Sequence, residues 1–129
     1  MRIINSIILH HTGTDALFAD NINVIKSWHL QKGWRDVGYH FHIGRKLAIG
    51  RPINLAGAHC RGRNHYSVGI ALHGLEHFTE FQFKELAKLL NMLFVIFDLD
   101  KSNVHLHKEV ANNPTECPNF TLEQALQYL

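Results

Sequence analysis

Eleven histidines in 129 residues load this chain with side chains that ligate metals and titrate near neutrality. Three segments end or turn at such groups. They are His10 or His11 after a β-branched run, His105 or His107 after a second short run, and Cys117 in the Pro-containing stretch beyond. A catalytic zinc site takes three protein ligands from imidazole, thiolate or carboxylate and keeps a fourth position open to water. The residue types suffice for that, but their spacing does not single it out. Cys117 lies ten residues past His107, outside the short ligand pairs of zinc fingers. On the residues alone, the plainer reading is histidines at strand ends satisfied by hydrogen bonds.

The elements that must position these groups follow from periodicity. Residues 3–9 form an apolar, β-branched run and predict a buried strand that delivers His10 and His11 at its end. Asp20 or Asn21 suits the N-cap of a helix that carries Val24, Ile25 and Trp28 and stops at Gly33. Residues 38–45 (GYHFHIGR) alternate, with Tyr39, Phe41 and Ile43 on one face and His40 and His42 on the other. Residues 47–51 return as the hairpin partner. The three glycines of residues 54–64 indicate a surface loop. Residues 66–73 alternate Val68, Ile70 and Leu72 with small Gly69 and Ala71, as in a central strand closely covered on both sides. Thr79 and Gln82 form a capping box, with Phe78 stapled to Phe83, for a long helix facing the sheet through Leu86, Leu90, Leu93 and Phe97. Residues 103–107 read as a last strand, and Thr121 with Gln124 opens a short terminal helix. The order predicts an α/β single domain: a central mixed sheet flanked by helices.

Composition narrows the function. Apolar residues at 46% and charged residues at 19% suit a globular chain with a packed core. A net charge of +2 is too small to mark a nucleic-acid binder. Residues 89–97 are apolar but interrupted by Asn91 and closed by Asp98, well short of the ~20 residues that span a bilayer. No membrane insertion is expected. The opening MRIINSIILHH lacks the apolar core and small-residue cleavage site of a signal peptide, so the chain is expected to be cytoplasmic as synthesised. Two cysteines, Cys60 and Cys117, cannot make a disulfide framework, although they can pair with each other.

Four blocks in register carry a resemblance: ILHHTGT at 8–14, WHLQKGWRDVGYHFHIGR at 28–45, GRPINLAGAHCRGRNHYSVGIALHG at 50–74 and HKEVANNPTECPNF at 107–120. Together with the FTEFQ helix start, they resemble the zinc-dependent N-acetylmuramoyl-L-alanine amidase and peptidoglycan recognition protein superfamily, especially its small phage lysozyme-type members. The resemblance implies one zinc ion held by His10, His107 and Cys117, with His11 and His105 as neighbours. It also implies that Tyr39 is the catalytic tyrosine. His59 then lines the substrate cleft; the loop also offers two further candidates for the substrate site by residue type, Asn64, which suits holding the loop, and Arg61, whose charge suits carboxylates of a stem peptide. The domain is expected to fill residues 1–129.

Two departures stand out. Phage lysozyme-type members carry a lysine where this chain has Thr115, and in having threonine there it resembles the animal recognition proteins with amidase activity. A charge is thereby lost from oxyanion stabilisation, leaving Thr115 and Tyr39 as neutral donors. The hairpin turn at residues 45–48 also lacks the usual Asp-Gly signal, which shortens one wall of the cleft. The implied activity is hydrolysis of the amide between the lactyl group of N-acetylmuramic acid and L-alanine, by a monomeric phage or prophage endolysin that reaches the wall once released. A cytoplasmic muropeptide-recycling amidase and a non-catalytic peptidoglycan-binding module are the alternatives. The presence of Cys117 opposes the second.

Overall fold

Strands β1 (Ser6–His11) and β4 (Ser67–Leu72) contain no Asp, Glu, Lys or Arg. β4 is buried at every position, and β1 is buried at all but His11, as the central strands of a parallel sheet must be. A computed structural model, which describes residues 2–129, places them side by side in register from Ser6 opposite Ser67 to His11 opposite Leu72. Strand β5 (Val104–Leu106) pairs parallel with the other side of β1. Strand β2 (Phe41–Ile43) pairs parallel with β4, and β3 (Leu47–Ile49) closes the edge as the antiparallel partner of β2. Among the described residues the sheet order is β3-β2-β4-β1-β5, the mixed sheet that the alternation of elements predicts.

Alternation divides the sheet into two chemically different faces. Ile7, Leu9, Ile43, Val68, Ile70, Leu72, Val104 and Leu106 point into the main hydrophobic core. There they meet Leu86, Leu90 and Leu93 of the long helix α2 (Glu80–Phe97) and Ala125 of α4 (Leu122–Leu126). Truncating a buried leucine or isoleucine of this layer to alanine costs about 2–5 kcal/mol. The opposite face carries His10, Ala71 and His42 in one register row and Ile8, Gly69 and His105 in another.

The expected caps form. Thr79 Oγ1 accepts from Gln82 N, and Thr79 N donates back to Gln82 Oε1 at 2.8 Å. Thr121 and Gln124 repeat this at α4. Asn21, not Asp20, caps α1 (Ile22–Gln31). That helix buries Ile25 and His29, one turn apart, and leaves Val24 and Trp28 half-exposed, a rotation from the face the sequence favours. Residues 103–107 divide differently from expectation: β5 stops at Leu106, and His107 begins a one-turn helix α3 (His107–Val110). Cys60 and Cys117 are both free thiols. Among the described residues, no helix is long and apolar enough to cross a membrane.

Candidate metal centre and cleft

His10 is the penultimate residue of β1, and its register opposite Ala71 fixes which sheet face it leaves from. At the end of β5 the Glu109 carboxylate accepts from Leu106 N at 3.0 Å, turning the chain into α3 with His107 at its head. The segment that carries Cys117 is pinned back here. Lys108 N donates to Cys117 O at 2.7 Å, His11 N donates to Cys117 Sγ at 3.3 Å, and Cys117 N donates to Thr115 Oγ1 at 3.2 Å. One ligand atom from each of His10, His107 and Cys117 lies within 4.8 Å of the others. His105 and His11 stand outside this group. His11 instead accepts from Asn119 N and stacks on Phe78, ring centroids 6.4 Å apart.

A chain of hydrogen bonds sets the tautomer of His10. Ser67 Oγ donates to Arg63 O at 2.8 Å, so it accepts from His59 Nε2–H at 3.1 Å. His59 Nδ1 must then be the acceptor for His10 Nε2–H at 2.9 Å. His10 is left with a bare Nδ1 lone pair, 3.9 Å from Cys117 Sγ. Gly69 makes this packing feasible, because a Cβ there would collide with the His59 ring. On the other side of the group, His107 Nδ1 is buried with no hydrogen-bond partner among the described residues. A bare His10 Nδ1, a second imidazole and a thiol are a donor set that suits zinc, and for His10 the outer partners that fix ligand orientation are already in place.

Burial sets the protonation of the three candidate ligands. Burial, reinforced by the charges of His59, His107 and His11, lowers the His10 pKa well below its ordinary value, and burial lowers that of His107 as well. Both rings are therefore neutral ligands. Burial raises the Cys117 thiol to about 11, so the sulfur is protonated unless a cation is there to deprotonate it.

Around this group lies a two-lobed cleft. A lobe of about 420 Å³ is walled by Trp34, His59, Arg61, Asn64, Asn112 and Thr115, among others. The adjoining lobe of about 290 Å³ contains His10, Tyr39 and Cys117 and shares Trp34, Ala58, His59 and His107 with the first. Tyr39 lies with its ring centroid 5.2 Å from that of His10 and 5.4 Å from that of His29. It is on the cleft side, opposite to Phe41 and Ile43, because β2 begins only at Phe41 and the alternation does not reach back to Tyr39. Burial first and the neighbouring Cys117 second raise its pKa far above the ordinary phenol value, which keeps the hydroxyl protonated.

His59 stands in the wall with both ring nitrogens engaged. Asn64 Oδ1 accepts from His59 N and Cys60 N, both at 2.9 Å, and so holds the loop. Arg61 is exposed at the rim, where its carbonyl accepts from Asn112 Nδ2. Three contributors escaped the sequence reading. His29 accepts from Gly38 N at 2.8 Å and fixes the approach to Tyr39. Ser67 ends the tautomer chain, and Trp34 lines both lobes. Only Trp34 left a signal, an aromatic one residue past the helix-ending Gly33.

The family model for N-acetylmuramoyl-L-alanine amidase matches residues 1–120. The endolysin of Escherichia phage T7 is 33% identical over 130 residues, covering 93% of this chain and 83% of that protein. Peptidoglycan-recognition protein LB of Drosophila melanogaster is 34% identical over 130 residues, covering 90% of this chain and 55% of that protein. Among solved structures, the N-acetylmuramoyl-L-alanine amidase LysC from Clostridium intestinale superposes with a TM-score of 0.84 at 32% identity, over 95% of this chain and 82% of its own. With its fold, its cleft and a match along nearly its whole length, the chain belongs to the N-acetylmuramoyl-L-alanine amidase family.

Proposed function

We infer that this enzyme is a zinc-dependent endolysin that hydrolyses the amide joining the lactyl group of N-acetylmuramic acid to L-alanine of the peptidoglycan stem peptide. The observation that carries the reading is the convergence of His10, His107 and Cys117 within 4.8 Å, with a lone pair of His10 held ready by His59 and Ser67 at the floor of the cleft. We read residues 1–129 as one amidase domain acting as a monomer, a reading supported for the domain by the family match over residues 1–120.

His10, His107 and Cys117 would hold a zinc ion, which when bound would supply Lewis acidity and an activated water at neutral pH. The chain's own residues do the rest. Tyr39, kept protonated by burial, donates a hydrogen bond to the oxygen on which charge develops. Thr115 Oγ1 accepts from Cys117 N, which leaves its hydroxyl proton free to act as a second neutral donor. Trp34 and Ala58 exclude water from the wall. Arg61 at the rim suits a carboxylate of the stem peptide.

Mass spectrometry of products from purified peptidoglycan, run beside metal analysis, tests the reading. Free stem peptides beginning with L-alanine, intact glycan strands and one zinc at this centre are expected. New reducing sugar ends, or cleavage within the peptide cross-links, would overturn it.

A further inference from the structure

The histidine-bearing face of the sheet holds a second cluster, on the far side of β4 from the first. His42 of β2 and His10 of β1 are both registered opposite Ala71. At a strand spacing of about 4.8 Å, that sets them roughly 10 Å apart. His73 lies two residues past Ala71, where its backbone N donates to Ile43 O at 2.9 Å. His42 and His73 therefore leave the same face as diagonal neighbours, with ring centroids 6.3 Å apart. Asp20, between a single 3-10 turn (Leu17–Ala19) and α1, reaches across to them. One ligand atom from each of Asp20, His42 and His73 lies within 4.8 Å of the others.

The rings are buried, His42 to 2% exposure and His73 to 9%. Among the described residues, His42 Nε2 and both ring nitrogens of His73 have no hydrogen-bond partner. Buried imidazole nitrogens left unpaired are rare and costly in a folded protein, and nothing in the cleft mechanism uses these. The backbone around them is tightly held instead: Gln82 Nε2 donates to Ile43 O at 3.0 Å and to His73 O at 2.8 Å. The carboxylate is also pre-set. Asp20 Oδ2 accepts from Arg45 N at 2.9 Å and pairs with Arg45 Nε at 3.3 Å, leaving Oδ1 available. Gly44 clears the space for it, since a Cβ there would collide with that carboxylate. A cavity of about 340 Å³, bounded by Leu17, Thr79 and Phe81, opens onto Asp20 and His73 and provides an entry path.

We propose that Asp20, His42 and His73 form a second binding site for a divalent transition-metal ion of the zinc class, separate from the amidase centre, which ties the start of α1 to the ends of β2 and β4. Two imidazoles and one carboxylate are a ligand set for such ions and not for Mg²⁺ or Ca²⁺, which want oxygen. The site contains no thiolate, and that distinguishes it spectroscopically from the one at Cys117.

Titration of the metal-free full chain with Zn²⁺ alone, followed by desalting and elemental analysis, should give two zinc ions per chain. Cys117→Ala and His73→Phe should each give one, and the double variant none. Loaded with Co²⁺, the His73→Phe protein should keep the thiolate-to-cobalt charge-transfer band while the Cys117→Ala protein binds cobalt without it. Asp20→Asn preserves shape and should weaken the thiolate-free site by at least about tenfold, the effect of losing even an outer partner. One zinc in the parent at saturation, with that zinc lost in Cys117→Ala, overturns the second site and leaves the amidase centre standing. Two zinc ions retained in folded His73→Phe also overturn it. Should His73→Phe fail to fold, the parent stoichiometry and the cobalt spectrum of Cys117→Ala decide alone.

Discussion

Replacing His59 with phenylalanine tests whether the amidase centre is preorganised by its tautomer chain. Phenylalanine fills much the same space against Gly69, yet it removes the only acceptor among the described residues for His10 Nε2–H, now satisfied at 2.9 Å. His10 then has two choices. It can keep its proton on Nε2 as a buried, unpaired donor, at about 1–3 kcal/mol, or move the proton to Nδ1 and block the ligand lone pair. Either route weakens the ion's hold, and loss of such an outer partner typically costs 10- to 100-fold in affinity, or about 1.4–2.7 kcal/mol. Competition with a chromophoric chelator at neutral pH reads this directly, and denaturant unfolding of the metal-free proteins separates it from general destabilisation. His59→Gln, with both an acceptor and a donor, should fall between parent and His59→Phe. Ser67→Ala frees His59 to turn its proton inward and should lose on the order of tenfold. Unchanged zinc affinity in a folded His59→Phe protein would refute the chain as a determinant of the site.

Tyr39→Phe should lower turnover on the order of 10² with zinc retained, read as kcat against KM on peptidoglycan fragments; an unaltered kcat would remove the hydroxyl from the chemistry. Thr115→Val should reduce kcat less, with zinc and fold intact, because it deletes one neutral donor. Gln82→Leu abandons Ile43 O, His73 O and Thr79 N and should cost about 3 kcal/mol in urea unfolding. His29 and His40 accept backbone N–H groups from Gly38 and Gly69 at Nδ1, and burial first lowers each pKa from 6.5 to about 4. Protonation thus favours the unfolded chain. Their stabilisation is complete above pH 6.5 and lost as pH falls toward 4. A denaturation midpoint that stays flat across that window would contradict the assignment.

Most of the fold was legible because its signals are local. The capping boxes at Thr79 and Thr121, the apolar runs of β1 and β4 and the leucine stripe of α2 each declare themselves within a few residues. The ligand set was not legible from spacing, since three separated segments converge on it, and only the resemblance chose His10 over His11 and His107 over His105. The structure supplies the physical reason: His10 shares the register row of Ala71, whereas His11 turns away toward Phe78. Tyr39 misleads any reading by period, because β2 starts two residues after it. His42 and His73 look like ordinary strand-face histidines until β2 and β4 are known to pair, as adjacency between strands depends on register that neither segment encodes alone.

The amidase centre draws on the first strand and on the segment after the last one, so His10 and Cys117 stand more than a hundred residues apart along the chain. A partially synthesised chain has the tyrosine, the cleft loop and one imidazole, but neither His107 nor the thiol. If the three side chains are the ligands inferred above, activity toward a wall polymer should arise in a single step, when the final segment docks beside β1. An ion gripping all three ligands would also clasp β1 to the segment after β5, much as a cross-link would. A covalent link enclosing a loop of that length removes about 4–5 kcal/mol of unfolded-chain entropy, and a bound metal would add its own binding free energy by mass action. Stripping the ion should accordingly loosen the sheet from its β1–β5 side, so that the loss of catalysis and the loosening of the terminal elements proceed together.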